Sequence, residues 1–217
     1  RSISGSDFTG NLPVGMFSNT LTNVFTGALV QSNGLGAFQN YRFTGVGGAG
    51  SGIDVASGDV SVRGSDIRGA ASGVLVRGAS AARLVDNPGS ITGNAVGVDL
   101  IGGATTISNT SIYANGIGIR VNSATVTATQ NGITNNVTAG AQFTGTGAII
   151  AMLNRNAISG NGAGAQNSTS SLVSAECNWW AAASGPGPSG PGSGDSVGPN
   201  VDYTPWLLSS DLNGACA

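Results

Sequence analysis

The sequence predicts an all-β solenoid, a single chain wound into stacked coils of short parallel strands. Three observations carry this. First, a motif of Gly, an apolar residue, a variable residue and a second apolar residue returns every 21 to 25 residues. It reads Gly27-Ala28-Leu29-Val30, Gly52-Ile53-Asp54-Val55, Gly73-Val74-Leu75-Val76, Gly97-Val98-Asp99-Leu100 and Gly118-Ile119-Arg120-Val121, with weaker copies at Gly140-Ala141-Gln142-Phe143 and Gly164-Ala165-Gln166-Asn167. Second, a column of Phe43, Ile67, Ile91, Ile112, Ile133 and Ile158 keeps step with it. Third, an asparagine follows the last four of these isoleucines at a fixed offset: Asn94, Asn115, Asn136 and Asn161. Self-similarity at this period means repeated supersecondary units, each burying its apolar face against the next.

Composition supports strands and argues against helices. Of 217 residues, 37 are glycine and only 8% are charged, against roughly 25% in an ordinary domain. There is no lysine or histidine, and Glu176 is the only glutamate, so the residues that usually coat helices are missing. Each coil offers two or three short strands. From Gly118, Ile119-Arg120-Val121 leads past Asn122-Ser123 into Thr125-Val126-Thr127-Ala128-Thr129. A turn at Gln130-Asn131-Gly132 then enters Ile133, and Asn135-Asn136 closes the coil. The alternation marks strands with one buried face, and Asn-Gly marks sharp turns. About seven to eight such coils, spaced at the ordinary interstrand distance of about 4.8 Å, make a rod. The four asparagines fall one above another, so their amides are expected to form a hydrogen-bonded ladder.

The ends depart from the repeat. Residues 1–26 read as an N-terminal cap (Phe8, Leu12, Val14, Met16, Phe17) and an incomplete first coil around Leu21. Residues 27–180 read as the coils. Residues 181–217 read as a loop of Ala, Ser, Gly and Pro followed by a capping strand, Val201 to Leu208, with Pro205 tolerable only on an edge. Trp179, Trp180 and Trp206 lie where the repeat stops and are read as plugging the stack rather than as a sugar platform. Cys177 and Cys216 bracket this tail. Two buried thiols are the alternative, but a tail without repeat character needs tying down, and a disulfide is the expectation. Such a bridge implies an oxidising compartment, hence export to an extracellular location. The chain starts at Arg1, so any signal peptide is read as removed or as lying outside it.

Together these residues resemble the bacterial right-handed parallel β-helix repeat proteins of the pectate-lyase-like superfamily. The coils reading Asn-x-Ile-x-x-Asn, Asn131 to Asn136 and Asn156 to Asn161, are similar to that group's repeats. The ending resembles a terminal motif of its secreted members: Asn178-Trp179-Trp180, Gly185-Pro186 and Tyr203-Thr204-Pro205-Trp206-Leu207. The resemblance implies a right-handed, single-stranded helix and a bacterial, secreted or surface setting. It leaves the activity open, because the group includes lyases, hydrolases, epimerases, adhesins and repeat regions without assigned chemistry.

Several function classes are excluded by what is absent. Without His or Lys there is no imidazole metal site and no histidine-dependent nucleophile. Eight arginines scattered from Arg1 to Arg155 and a net charge of −2 do not make a nucleic-acid surface. The longest apolar run, Ala148 to Leu153, is strand length, far below the roughly 18 residues of a membrane span. What remains is Asp and Arg. The variable position of the motif forms an outward column of Leu29, Asp54, Leu75, Asp99, Arg120, Gln142 and Gln166. Asp54 and Asp99, two coils apart at roughly 10 Å, stand near the 6.5–9.5 Å carboxylate spacing of inverting glycosidases. With Arg77 and Arg120 they are the candidate catalytic set of a polysaccharide lyase or glycoside hydrolase.

The competing reading is an ordinary ion pair between Asp99 and Arg120 on a solvated sheet. A carboxylate facing leucine lacks the cluster a divalent cation needs, so no cofactor or metal is expected. The favoured function is therefore a secreted or cell-surface module with a structural or adhesive role and no catalysis of its own. Polysaccharide or a cell-surface partner, and self-association, are the expected contacts. Ice binding by threonine ladders is the remote alternative: Thr125, Thr127 and Thr129 lie on one strand and Thr105-Thr106 appear in the coil before, but the neighbouring coils offer Ser61, Arg83 and Met152 instead.

Overall fold

The computed structural model describes residues 6–10, 14–17, 20–24, 26–188 and 190–217. All regular structure among them is β-strand, and the strand pairs joining successive turns run parallel. Each turn presents three faces. On the first, Ala28, Ile53, Val74, Val98, Ile119 and Ala141 stand in register. On the second, Val60, Ala82, Thr105, Val126 and Ala151 do. On the third, Leu21, Phe43, Ile67, Ile91, Ile112, Ile133 and Ile158 align. Some strands run through more than one face, as Ser72–Thr92 and Val96–Tyr113 do. The all-β solenoid expected from the repeat is the architecture found.

The inward columns of the three faces meet in one continuous core. Ile53, Val74, Val98, Leu84, Ile107, Ile67, Ile91, Ile112 and Ile133 are fully buried. The recurring glycine has a steric cause rather than a torsional one. A Cβ on Gly97 would lie 2.6 Å from Gly118 O, 2.9 Å from Ile112 Cγ2 and 3.0 Å from Asn115 Nδ2. Gly73 and Gly118 meet the same three classes of neighbour. Glycine thus makes room for both the isoleucine and the asparagine, which is why the three columns keep one phase.

Both corners of the third face share a device. A residue in the left-handed region is followed by an inward side chain, from Asn94 onward an asparagine amide that bonds the adjacent coil in every case but Thr110, whose hydroxyl donates to Ser108 O. At one corner Gly93, Ala114, Asn135 and Gly160 (φ 64, 53, 54 and 70°) precede Asn94, Asn115, Asn136 and Asn161. Within that ladder Asn94 N and Nδ2 donate to Asn115 Oδ1 at 3.0 and 3.1 Å, and Asn115 repeats the pattern on Asn136. Asn136 repeats it on Asn161, and the series ends on Asp195, which accepts from Gly160 N, Asn161 N and Asn161 Nδ2. At the other corner Asn109, Gln130, Arg155 and Cys177 (φ 50, 59, 54 and 54°) precede Thr110, Asn131, Asn156 and Asn178. Here Asn131 donates to Asn156 and Asn156 to Asn178, so a second ladder runs beside the first. A left-handed residue with a side chain costs about 1–2 kcal/mol, and the buried amide bonds that follow it offset that strain.

The ends are more regular than their composition suggests. Ser6–Gly10, Val14–Phe17 and Thr20–Val24 pair in parallel with Ala28–Gln39 and Arg42–Gly45. Among the described residues strand pairing is present from Ser6 onward, within the segment read from the sequence as a cap and an incomplete first coil. The side chains of Phe8, Leu12, Val14, Met16 and Phe17 lie outside the described residues. At the far end Trp180, fully buried, takes the place after Ile158 in the isoleucine column. The tail returns to the stack, with Val197 beside Ala165 and Val201 beside Val173. The expected strand from Val201 to Leu208 is only Val201–Asp202; Pro205 has no N–H to continue it. Cys177 and Cys216 form a disulfide with Cα atoms 5.4 Å apart. Buried Leu207 donates its N–H to Asn178 O, directly beneath the second ladder.

Candidate functional site

The outward column of the first face is built as the spacing implied, with Leu29, Asp54, Leu75, Asp99, Arg120, Gln142 and Gln166 in register. The four candidate residues fall into two separate ion pairs with Leu75 between them. Arg77 grips Asp54 through Nε and Nη2 at 2.9 and 2.8 Å. Arg120 grips Asp99 through Nε and Nη2 at 2.9 and 2.6 Å, and Ser72 Oγ adds a third donor at 3.0 Å. The two pairs differ in solvation. The Asp54 side chain is 15% exposed, whereas that of Asp99 is 3% exposed. The hydrogen bonds that Arg120 donates to Asp99 hold its guanidinium above its ordinary pKa against the opposing effect of burial.

Chemically, both carboxylates are engaged as acceptors of planar guanidinium forks, in the bidentate geometry of the stronger charge-assisted pairs. The Asp99–Arg120 pair was legible from adjacency in the column. The Asp54–Arg77 pair is diagonal, reaching two residues along the neighbouring strand, and Ser72 as a third partner of Asp99 had no sequence signal. Among the described residues no group of three or more Cys, Asp or Glu side chains is gathered closely enough to hold a metal ion. A third pair, Arg83 with Asp59, sits on the second face.

Below Arg120 the column continues as an amide pair, with Gln142 Nε2 donating to Gln166 Oε1 at 3.1 Å. Beside it lies a cleft of about 290 Å³, lined by Gln142, Phe143, Gln166, Asn167, Ser168, Gly198 and Pro199. The cleft exists because the chain leaves the first face after Val197 and turns away at Gly198, so the last turn is partial. On the second face a smaller depression of about 190 Å³ is walled by Arg83, Thr106, Thr125 and Thr127 over Ala81 and Ala104. The threonines stop there: the next outward positions are Ile150 and Met152, both exposed.

The tryptophans divide. Trp180 is fully buried in the core, while Trp179 and Trp206 are half-buried. Trp206 Nε1 donates to Ala183 O, and its ring lies where a Cβ on Gly185 would stand. Among the described residues no helix is long and apolar enough to cross a membrane.

A stack of parallel turns with asparagine corners and a buried aliphatic column defines the class as a parallel β-helix. The chain belongs to the right-handed β-helix family: the family model described as right handed beta helix region matches residues 4–179. No curated protein and no solved structure showed significant similarity to it.

Proposed function

We propose that this chain is a secreted or cell-surface β-helix module, of bacterial type, whose role is structural or adhesive and which has no catalytic activity of its own. In this reading residues 27–180 form the working rod, while residues 1–26 and 181–217 serve as its end pieces. The observation that supports it most is the pairwise consumption of Asp54, Arg77, Asp99 and Arg120 in bidentate ion pairs. An acid–base or nucleophilic mechanism needs a carboxylate free to exchange a proton or attack. The disulfide fits export, where such bridges persist. Incubation with a panel of uronate-containing and neutral polysaccharides is the test, with product ends followed over time. No cleavage is expected. Reproducible cleavage lost in both Asp54→Ala and Asp99→Ala would overturn the reading.

The cleft beside Gln142 and Gln166 favours a second reading, a polysaccharide-binding or polysaccharide-active helix. Amide ladders offer paired donors and acceptors to sugar hydroxyls, and Pro199 offers an apolar wall. Titration with oligosaccharides on the native chain and on Gln166→Ala separates the two. Binding that the variant loses would favour the second reading.

A further inference from the structure

Asn–Gly is the dipeptide most open to intramolecular imide formation, because glycine's amide nitrogen has no side chain to keep it away from the asparagine Cγ. The chain has five such pairs: Asn33-Gly34, Asn115-Gly116, Asn131-Gly132, Asn161-Gly162 and Asn213-Gly214. Three belong to the ladders. The Asn115 amide nitrogen donates to Ile91 O, Tyr113 O and Asn136 Oδ1, and its oxygen accepts two bonds from Asn94. Asn131 and Asn161 are held in the same manner. The nitrogens of Gly116 and Gly162 donate to Asn94 O and Asn136 O. Neither partner of the reaction can turn toward the other without breaking the corner.

Asn213 stands apart from these three, and the side chain of Asn33 lies outside the described residues. Asn213 is exposed, its Oδ1 accepts one bond from Gln130 Nε2 at 3.2 Å, and Gly214 N is held by the turn bond to Asp211 O at 3.0 Å. We propose that Asn213-Gly214 is a self-modification site that sets the hold of the C-terminal strap on the stack. Gly214 N attacks Asn213 Cγ and forms the C–N bond. The Cγ–Nδ2 bond breaks and ammonia leaves with the proton from Gly214 N, giving a succinimide. Water then opens either carbonyl, leaving aspartate or isoaspartate at 213 with no change of oxidation state.

The strap senses this directly. Arg155 Nη1 donates to Leu212 O at 3.0 Å and to Gly214 O at 2.9 Å, clamping the carbonyls on either side of residue 213. Isoaspartate routes the main chain through Cβ and inserts one methylene between those carbonyls, so one guanidinium nitrogen no longer spans both. The Cys177–Cys216 bridge still tethers the end. The strap is released from the corner without being lost.

The test is peptide mapping by mass spectrometry of the folded, disulfide-bonded protein aged in mildly alkaline buffer, beside a reduced and denatured sample. Conversion at Asn213 at least ~10-fold faster than at Asn115, Asn131 or Asn161 is expected when folded, with the difference collapsing on denaturation. A ladder pair converting as fast as Asn213 in the folded chain would overturn the assignment, as would an Asn213 that converts only when denatured. Hydrogen exchange over residues 206–217 should rise in the aged protein and stay unchanged in aged Asn213→Ser. Equal exchange in fresh and aged native protein would sink the clamp.

Discussion

Replacing Asn115 with alanine tests whether the ladder holds the coils together or merely decorates them. Asn115 is 1% exposed and sits mid-ladder. Alanine removes three donated bonds, to Ile91 O, Tyr113 O and Asn136 Oδ1, and two accepted bonds, from Asn94 N and Nδ2. Not all of these leave an orphan. Asn94 Nδ2 keeps Ile67 O and Thr92 O, and Asn136 Oδ1 keeps the backbone N–H of residue 115. The Asn94 N–H loses its side-chain acceptor, and Ile91 O and Tyr113 O lose the amide donor. Each buried orphan costs about 1–3 kcal/mol, so about 3 kcal/mol is expected once some water enters the space. For a chain of this size 1 kcal/mol moves the midpoint by about 2–4 °C, which puts the expected fall at about 6–12 °C. Thermal melting by circular dichroism measures the total, and hydrogen exchange at the Asn94 amide localises it. Val137→Ala, at a side chain 77% exposed, is the control. A melting point within about 2 °C of the parent, with Asn94 still protected, would refute a cohesive role for the ladder.

The other outcomes follow from the same contacts. Gly97→Ala must displace either Gly118 O or the Ile112 and Asn115 side chains, so soluble yield and melting point should both fall; an unperturbed melt would count against backbone contact as the reason for the glycine column. Ile133→Ala, at a fully buried position, should cost about 2–5 kcal/mol by chemical denaturation, and a loss under about 1 kcal/mol would mean that the column is loosely packed. Arg77→Ala should cost under about 1 kcal/mol because its pair is solvated, while Arg120→Ala strands the buried Asp99 and should cost about 3–5 kcal/mol; denaturant melts giving equal losses would contradict the difference in burial. Reduction of Cys177–Cys216 should open the tail to proteolysis before the central coils, and simultaneous cleavage throughout would show that the end and the rod unfold as one.

Much of the fold was legible because it is written in columns. Gly97, Ile112 and Asn115 meet in space, so they must repeat together, and a strict offset in sequence is the trace of that contact. The second ladder was missed although Asn131 and Asn156 stand two residues before Ile133 and Ile158. Its members change to Thr110 and Ser65 toward the N-terminus, which hides the column. Trp180 hid in the same way: Asn178 precedes it by the spacing that Asn156 keeps to Ile158, but an indole does not look like an isoleucine. Asp195 carried no signal at all. It reaches Asn161 across a Pro- and Gly-rich loop, and nothing in local spacing reports a contact made by a returning tail. The candidate site was half legible for a related reason. Register in the column placed Asp99 beside Arg120, but which fork takes which carboxylate depends on side-chain reach.

The ladder that ends on Asp195 has a direction. Asn94, Asn115 and Asn136 each donate one Nδ2 bond forward to the side-chain oxygen of the next asparagine, while another reaches back to a main-chain carbonyl of the preceding coil. The amide dipoles are therefore aligned, and their positive ends all point toward the C-terminal end of the stack. Aligned peptide dipoles give a helix a positive terminus that favours a carboxylate, and the last amide of this column likewise ends on one. Asp195 lies at that terminus, accepting from Asn161 Nδ2 at 2.8 Å. From Asn94 to Asn161 the side-chain carbonyls of the ladder therefore share one orientation, and its C-terminal end is closed by a carboxylate rather than by another amide.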